Sequence, residues 1–135
     1  MEAGLSLTIF YVADLARATA FYDAAFGFSK NINVPEYVEY RLNAGACLGL
    51  MPQANTRHLV GPDLGGRRPT DGCPRGELYL LVADVESATE QLRKAGARCT
   101  SQIALRDWGD RAAYFLDHDG YVLAVAQPAG EKRLT

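Results

Sequence analysis

LTIFYVADLARATAF at residues 7–21 and ELYLLVADVESATEQ at residues 77–91 are two versions of one strand-to-helix corner. Val12-Ala13-Asp14 with Ala18-Thr19 recurs as Val82-Ala83-Asp84 with Ala88-Thr89, a constant offset of 70 and five matches in eight positions. Matches at equivalent points of equivalent elements mark an internal duplication. Before the first corner, residues 5–12 are rich in β-branched and aromatic side chains and read as a strand buried on both faces. After it, Asp14 can cap a helix whose apolar positions Leu15, Ala18, Phe21, Tyr22, Ala25 and Phe26 recur at three- and four-residue spacing until Gly27 stops it. Strands are then expected at 28–34, 37–43 and 46–51, with Asn43-Ala44-Gly45 turning the chain between the last two.

The second corner opens the same series. A strand at 77–82 leads to a helix at 85–95 between Asp84 and Gly96, a strand at 98–105, and a hairpin of 111–117 and 121–127 around Asp117-His118-Asp119-Gly120. Within the hairpins Tyr40-Arg41-Leu42-Asn43 corresponds to Tyr114-Phe115-Leu116-Asp117, and with one inserted residue Gly45 corresponds to Gly120. The sequence thus predicts a single α+β domain over 1–135, made of two tandem βαβββ units at 5–52 and 77–127. Residues 53–76 hold five Gly and three Pro without a period, which marks a connecting loop or arm. Residues 128–135 form a polar tail.

Bulk properties exclude several classes. A chain of 135 residues with 48% hydrophobic and 22% charged residues can bury a core and is neither disordered nor low-complexity. The net charge is −2 and the fourteen Lys and Arg are scattered, so no basic stripe follows a phosphate backbone and nucleic acid is not an expected partner. No apolar run approaches the roughly 18 residues of a membrane span, so no membrane partner is expected either. Cys47, Cys73 and Cys99 are odd in number and lack CxxC spacing, and no signal-peptide pattern stands ahead of them. They read as reduced thiols of a cytoplasmic protein.

A βαβββ duplication opened by a V-x-D-L corner and closed by a D-x-D-G hairpin resembles the vicinal oxygen chelate superfamily, which includes glyoxalases, extradiol dioxygenases, fosfomycin-resistance enzymes and bleomycin-resistance proteins. The resemblance implies that the two units form a curved mixed sheet, a cup, with the helices outside and a small-molecule pocket within. It also implies a homodimer. The family's metal ligands fall five residues before the Val of each corner and four after the Gly of each hairpin turn, which here are Leu7, Glu77, Gly49 and Ala124. Only Glu77 can ligate, and one carboxylate cannot replace a divalent ion's hydration. No cofactor and no catalytic residue are therefore expected, and His58 and His118 read as ordinary solvated histidines.

Alternation along the strands extends the inward face from these four positions. It takes in Leu7, Ile9 and Tyr11, then Cys47, Gly49 and Met51. In the second unit it takes in Glu77, Tyr79 and Leu81, then Val122, Ala124 and Ala126. Setting Asp117 opposite Gly120 adds Arg111, Ala113 and Phe115, and the repeat adds Tyr37, Glu39 and Arg41. Trp108, in Asp107-Trp108-Gly109-Asp110, resembles the W-G of bleomycin-resistance proteins, where the tryptophan stacks on a planar ring of the antibiotic. It reads either as such a stacking surface or as an anchor of its loop in the core.

Glu77 reads as a partner of Arg41 or Arg111, as a contact for a cationic or hydrogen-bond-donating ligand, or as a general acid or base. The expected binding residues are thus Trp108, Tyr37, Glu39, Arg41, Cys47, Gly49, Met51, Glu77, Tyr79, Arg111, Phe115 and Ala124. The leading expectation is a metal-independent protein that sequesters a planar or aromatic natural product or antibiotic. The alternatives are an enzyme, namely a glyoxalase-type lyase or isomerase or a dioxygenase with a non-standard or absent metal site, and an interaction protein with a filled cup. The last is disfavoured because Gly49, Ala113, Ala124 and Ala126 are small for the interior they are expected to face.

Overall fold

The computed structural model describes residues 1–43, 45–55, 59–61, 74 and 76–130. His58, Cys73, most of the 53–76 loop and the last five residues of the tail lie outside the described residues. The chain divides into two compact units, 1–72 and 73–135. The first contains β1 (Leu7–Val12), α1 (Leu15–Phe26), β2 (Ser29–Val34), β3 (Tyr37–Asn43) and β4 (Ala46–Pro52), followed by a short 3-10 turn at Gln53–Asn55. The second contains β5 (Glu77–Leu81), α2 (Val85–Ala95), β6 (Arg98–Leu105), β7 (Asp110–Leu116) and β8 (Val122–Pro128). Each is a βαβββ unit, as the duplication predicts. The sheet orders are β1-β4-β3-β2 and β5-β8-β7-β6, with the β1–β4 and β5–β8 pairs parallel and the rest antiparallel.

Both corners are held by the aspartate that the repeat preserves. Asp14 and Asp84 adopt extended backbone, and their carboxylates accept from Arg17 N at 3.0 Å and Ser87 N at 3.1 Å, satisfying donors that the first helical turn leaves unpaired. At the other ends the chain turns away through Gly27 and Gly96 at φ 65° and 102°, where a side chain would be strained.

In the first unit Phe10, Val12, Val38, Tyr40, Leu48 and Leu50 share the helix side of the sheet and are buried with Ala18, Phe21, Tyr22 and Ala25 of α1. Tyr40 is locked there: its hydroxyl donates to Asp23 Oδ1 at 2.9 Å, and its ring lies 6.3 Å from those of Tyr22 and Phe28. The expectation that β1 is buried on both faces is corrected. Phe10 and Val12 are buried, Leu7 and Ile9 are half-buried and Tyr11 is exposed, because α1 covers only the face that carries the even-numbered residues.

In the second unit the register between β7 and β8 overturns part of the inward assignment. Leu116 pairs with Val122, and Asp117 N donates to Tyr121 O at 3.0 Å, so Asp117 stands opposite Tyr121 rather than Gly120. A one-residue slip moves every side chain of a strand to the other face. Arg111, Ala113 and Phe115 accordingly lie on the helix side of the sheet. Arg111 is ion-paired to Glu86 of α2, and Phe115 is fully buried with the Arg93 guanidinium 5.9 Å from its ring centre. The residues that share the helix-distal face with Glu77, Tyr79 and Ala124 are Asp110, Ala112, Tyr114 and Leu116. Phe115 is thus equivalent to Tyr40, and the apparent match of 40–43 with 114–117 is one residue out of structural register.

Phe115 is therefore expected to act on stability. Phe115→Ala should cost about 3–5 kcal/mol in chemical denaturation. A cost below about 1 kcal/mol would return Phe115 to an open face.

Candidate functional site

Removing Arg111 and Phe115 leaves the helix-distal face of each unit with a distinct chemistry. In the first unit Glu39 pairs with Gly49 and Arg41 with Cys47, while Ile9 and Tyr11 of β1 align with Gly49 and Met51. Tyr37, Glu39, Arg41, Cys47, Gly49 and Met51 thus share one face, as the sequence predicts. The residue that connects them was not legible in the sequence. Asn31 sits in a bulge where the β2–β3 register shifts between Lys30 and Ile32, and the extra residue turns its side chain onto this face. Its amide donates to Glu39 Oε2 and to Cys47 Sγ, both at 3.3 Å, and its carbonyl accepts from Arg41 Nη2 at 2.6 Å. Tyr37 completes the network by donating to Glu39 Oε1 at 2.7 Å. Burial and the Glu39 carboxylate push the Tyr37 phenol well above the usual tyrosine range, so it stays a donor.

The Tyr37 ring also fills the space over Gly49. A Cβ at position 49 would stand 2.5 Å from the Tyr37 hydroxyl oxygen. Gly49 is buried, and its missing side chain leaves room for a neighbouring ring rather than for an open interior. Ala113, on the helix side, does not face that interior either. Of the four small residues that speak against a filled face, Ala124 and Ala126 remain, on the face of Tyr79 and Leu81.

In the second unit an aromatic group dominates. Arg106 to Asp110 make a tight reversal in which Gly109 N donates to Arg106 O at 3.0 Å and Arg106 N to Asp110 O at 2.8 Å. Gly109 takes φ 96°, which a side chain there would strain. The turn lifts Trp108 out, leaving it 54% exposed. Its indole N–H donates to Tyr79 Oη at 2.8 Å, and the Tyr79 hydroxyl donates to Asp110 Oδ2 at 2.6 Å. Asp110 is 2% exposed and stands at the start of β7 opposite Pro128. Trp108 and Asp110, with Leu105, Gly109, Pro128, Ala129 and Gly130, line an open groove of about 420 Å³.

Arg106, which the sequence reading passed over, holds this end of the sheet. Twice the β6–β7 register shifts, between Cys99 and Ser101 and between Ser101 and Ala104. The guanidinium takes up groups left there, donating to Gln102 O at 2.9 Å, Ala112 O at 2.9 Å and Ser101 Oγ at 3.1 Å while lying 5.2 Å from the Tyr114 ring centre. The only local signal is an arginine immediately before Asp107-Trp108-Gly109. Glu77 lies exposed on the same strand as Tyr79, and the Arg111 guanidinium goes to Glu86, which it holds below the usual carboxylate range, instead of to Glu77. His118 is exposed in the hairpin turn, against Gly96.

The four positions of the family's metal ligands bring one oxygen donor, Glu77, among Leu7, Gly49 and Ala124, and no group of three His, Cys, Asp or Glu among the described residues could hold an ion. The described residues at these positions do not fit a divalent metal.

A family model described as the glyoxalase/bleomycin resistance protein/dioxygenase superfamily matches residues 4–125. Similar solved structures include a family enzyme of that description from Burkholderia phytofirmans, 18% identical with a TM-score of 0.82 over 93% of this chain and 99% of that one. A superfamily member from Sphaerobacter thermophilus is 25% identical with a TM-score of 0.69, over 93% and 98%. A mutant fosfomycin resistance protein from Listeria monocytogenes, complexed with Mn(II) and dihydroxypropylphosphonic acid, is 20% identical with a TM-score of 0.68, over 96% and 92%. No curated protein matches the chain.

Two outcomes are expected. Zn, Mn, Ni or Fe should leave the melting temperature unchanged, whereas an ion at a hundredfold excess over its dissociation constant would stabilise by about 2.7 kcal/mol; stoichiometric metal held near Glu77 would overturn the assignment. Gly49→Ala should destabilise by about 1–3 kcal/mol as the Tyr37 ring is displaced. Adding Tyr37→Ala should then cost less than the sum of the two single changes, and strict additivity would mean that ring and glycine do not meet.

Proposed function

The chain belongs to the glyoxalase/bleomycin resistance protein/dioxygenase superfamily, and on that premise we propose that it is a binding protein, one that holds a planar aromatic natural product or antibiotic against Trp108 and releases it unchanged. The observation that carries the proposal is the state of Trp108. A tryptophan that anchors its loop in a core is buried, and this one is 54% exposed beside a groove. Its single polar atom is already engaged by Tyr79. A ligand ring therefore meets an apolar surface whose orientation is set in advance, and ordering that side chain adds no cost to binding.

The donor set supports the same reading. Sequestration needs no metal, and the family's ligand positions supply one carboxylate. A resistance role, as a stoichiometric sink for a toxic compound, follows directly from binding without chemistry. A second reading, a glyoxalase-type lyase or isomerase or a dioxygenase, has the Tyr37–Glu39 pair in its favour, because a carboxylate 2.7 Å from a phenol that keeps its proton sets a candidate base beside a hydrogen-bond donor. Chemical alteration of a bound compound would move the protein into that class.

The test uses the only tryptophan in the chain. Titration with bleomycin and with acridine dyes should quench or shift the indole emission in proportion to occupancy. A stacked pair contributes about 0.5–1.5 kcal/mol beyond buried area, so Trp108→Ala should weaken binding by up to about tenfold and Trp108→Phe by less, with a melting temperature within a few degrees of wild type. A steep fall in melting temperature with unchanged affinity per folded molecule would make Trp108 a core residue.

A further inference from the structure

We propose that the helix-distal face of the first unit holds a second binding site, for a small zwitterion of the α-amino-acid kind with an apolar side chain, its carboxylate on Arg41 and its ammonium on Glu39. The site is built from one unit alone and does not depend on the reading of Trp108.

Glu39 and Arg41 stand two residues apart on one face of β3, about 7 Å along the strand and within reach of a direct ion pair. Among the described residues no ion pair joins them. Asn31, brought onto this face by the bulge in β2, bridges them instead: its carbonyl accepts from Arg41 Nη2 at 2.6 Å and its amide donates to Glu39 Oε2 at 3.3 Å. A direct pair would turn each charge on the other, and a ligand would first have to break it. A neutral amide fixes both side chains and cancels neither charge, which is the preorganisation that a ligand carrying both signs needs.

The hydrogen-bonding inventory assigns the two ends. Asn31 takes one N–H of the guanidinium, and Arg41 has no other partner among the described residues, so the rest of its donors are open to a ligand's acceptors. Each Glu39 oxygen accepts one bond, from Tyr37 at 2.7 Å and from Asn31, and keeps a lone pair for a ligand's donor. Asn31 has no N–H to spare, since its second one goes to Cys47 Sγ at 3.3 Å. Lys30, the other charged side chain on the strands of this sheet, is on the helix side with Asp23. A ligand of one charge would satisfy one group and be repelled by the other, whereas a zwitterion satisfies both. What lies across β4 sets the ligand's side chain. Arg41 pairs with Cys47 and Cys47 with Leu7, while Glu39 pairs with Gly49 and Gly49 with Ile9. Leu7 and Ile9 are half-buried, and an aliphatic group laid over them removes apolar surface from water.

The experiment is calorimetric titration of the full chain with L-leucine, with 4-methylpentanoate, which is leucine without its amine, and with 3-methylbutylamine, which is leucine without its carboxylate. Leucine should bind at least about tenfold more tightly than either, because each analogue loses one charged contact. Arg41→Gln should bring leucine down to the affinity of the amine. Glu39→Gln, which keeps an acceptor for the Tyr37 hydroxyl, should bring it down to that of the acid. Asn31→Ala removes an exposed side chain, lets the two charges pair directly, and should weaken leucine at least about tenfold. Glycine, without the aliphatic group, should bind more weakly than leucine. The comparison of the three compounds on wild type decides the matter if a variant does not fold. Absence of leucine binding at millimolar concentration, equal affinity for leucine and either analogue, or an affinity for leucine that survives Arg41→Gln would sink the proposal. Glycine binding as tightly as leucine would overturn the preference for an apolar side chain.

Discussion

One buried carboxylate decides which side chains the second unit carries on its helix-distal face. Asp117 is 8% exposed, and its Oδ1 accepts from Asp119 N at 2.9 Å and Tyr121 N at 2.8 Å, while its own amide donates to Tyr121 O. These bonds wind residues 118–120 into a closed three-residue turn, with Gly120 at φ 84°, and set Leu116 against Val122. Everything upstream on β7 inherits its side from that pair. Tyr114 and Asp110 reach the helix-distal face, Arg111 and Phe115 the helix face. With Asp117 one residue out of step, the groove beside Trp108 would have an arginine where it has an aspartate.

The order and length of the elements were legible because each depends on local chemistry that the sequence states outright. Asp14 and Asp84 cap, Gly27 and Gly96 terminate, and the runs between are apolar at helical or strand spacing. The duplication then supplied the fold class. The faces followed from alternation only along β1, β4, β5 and β8; Tyr37, Glu39 and Arg41 joined Cys47 and Met51 through the repeat from the second hairpin, where the one-residue error in the turn and the one-residue error in the alignment cancelled. The face of β7 itself was not legible, because the turn sets Asp117 opposite Tyr121 and side-chain identity at 40–43 and 114–117 suggests an alignment that the turn does not obey. Phe115 takes the place of Tyr40, each a ring under its helix, and no residue-level similarity shows that.

Bulges hid the rest. Asn31 joins Arg41, Glu39 and Cys47 only because β2 carries an extra residue there, and strict alternation gives no warning of it. Arg106 is legible as a structural residue only once two shifts in the β6–β7 ladder have exposed carbonyls for it to bind. The two copies have thereby diverged in kind. One holds a polar network closed on itself over a buried glycine, the other an exposed indole tied to a buried acid.

The register shifts fall on particular strands. Apart from one shift near the β3–β4 turn, they fall on β2 and β6, the outermost strands of their sheets on the side away from the parallel pair. An irregular edge is a poor template for another chain's backbone, since its free amides and carbonyls do not fall at the even spacing a new ladder needs. The opposite edges, β1 and β5, pair with their neighbours without a break. A foreign backbone therefore extends the ladder less readily from the β2 and β6 margins than from a strand as evenly spaced as β1 or β5.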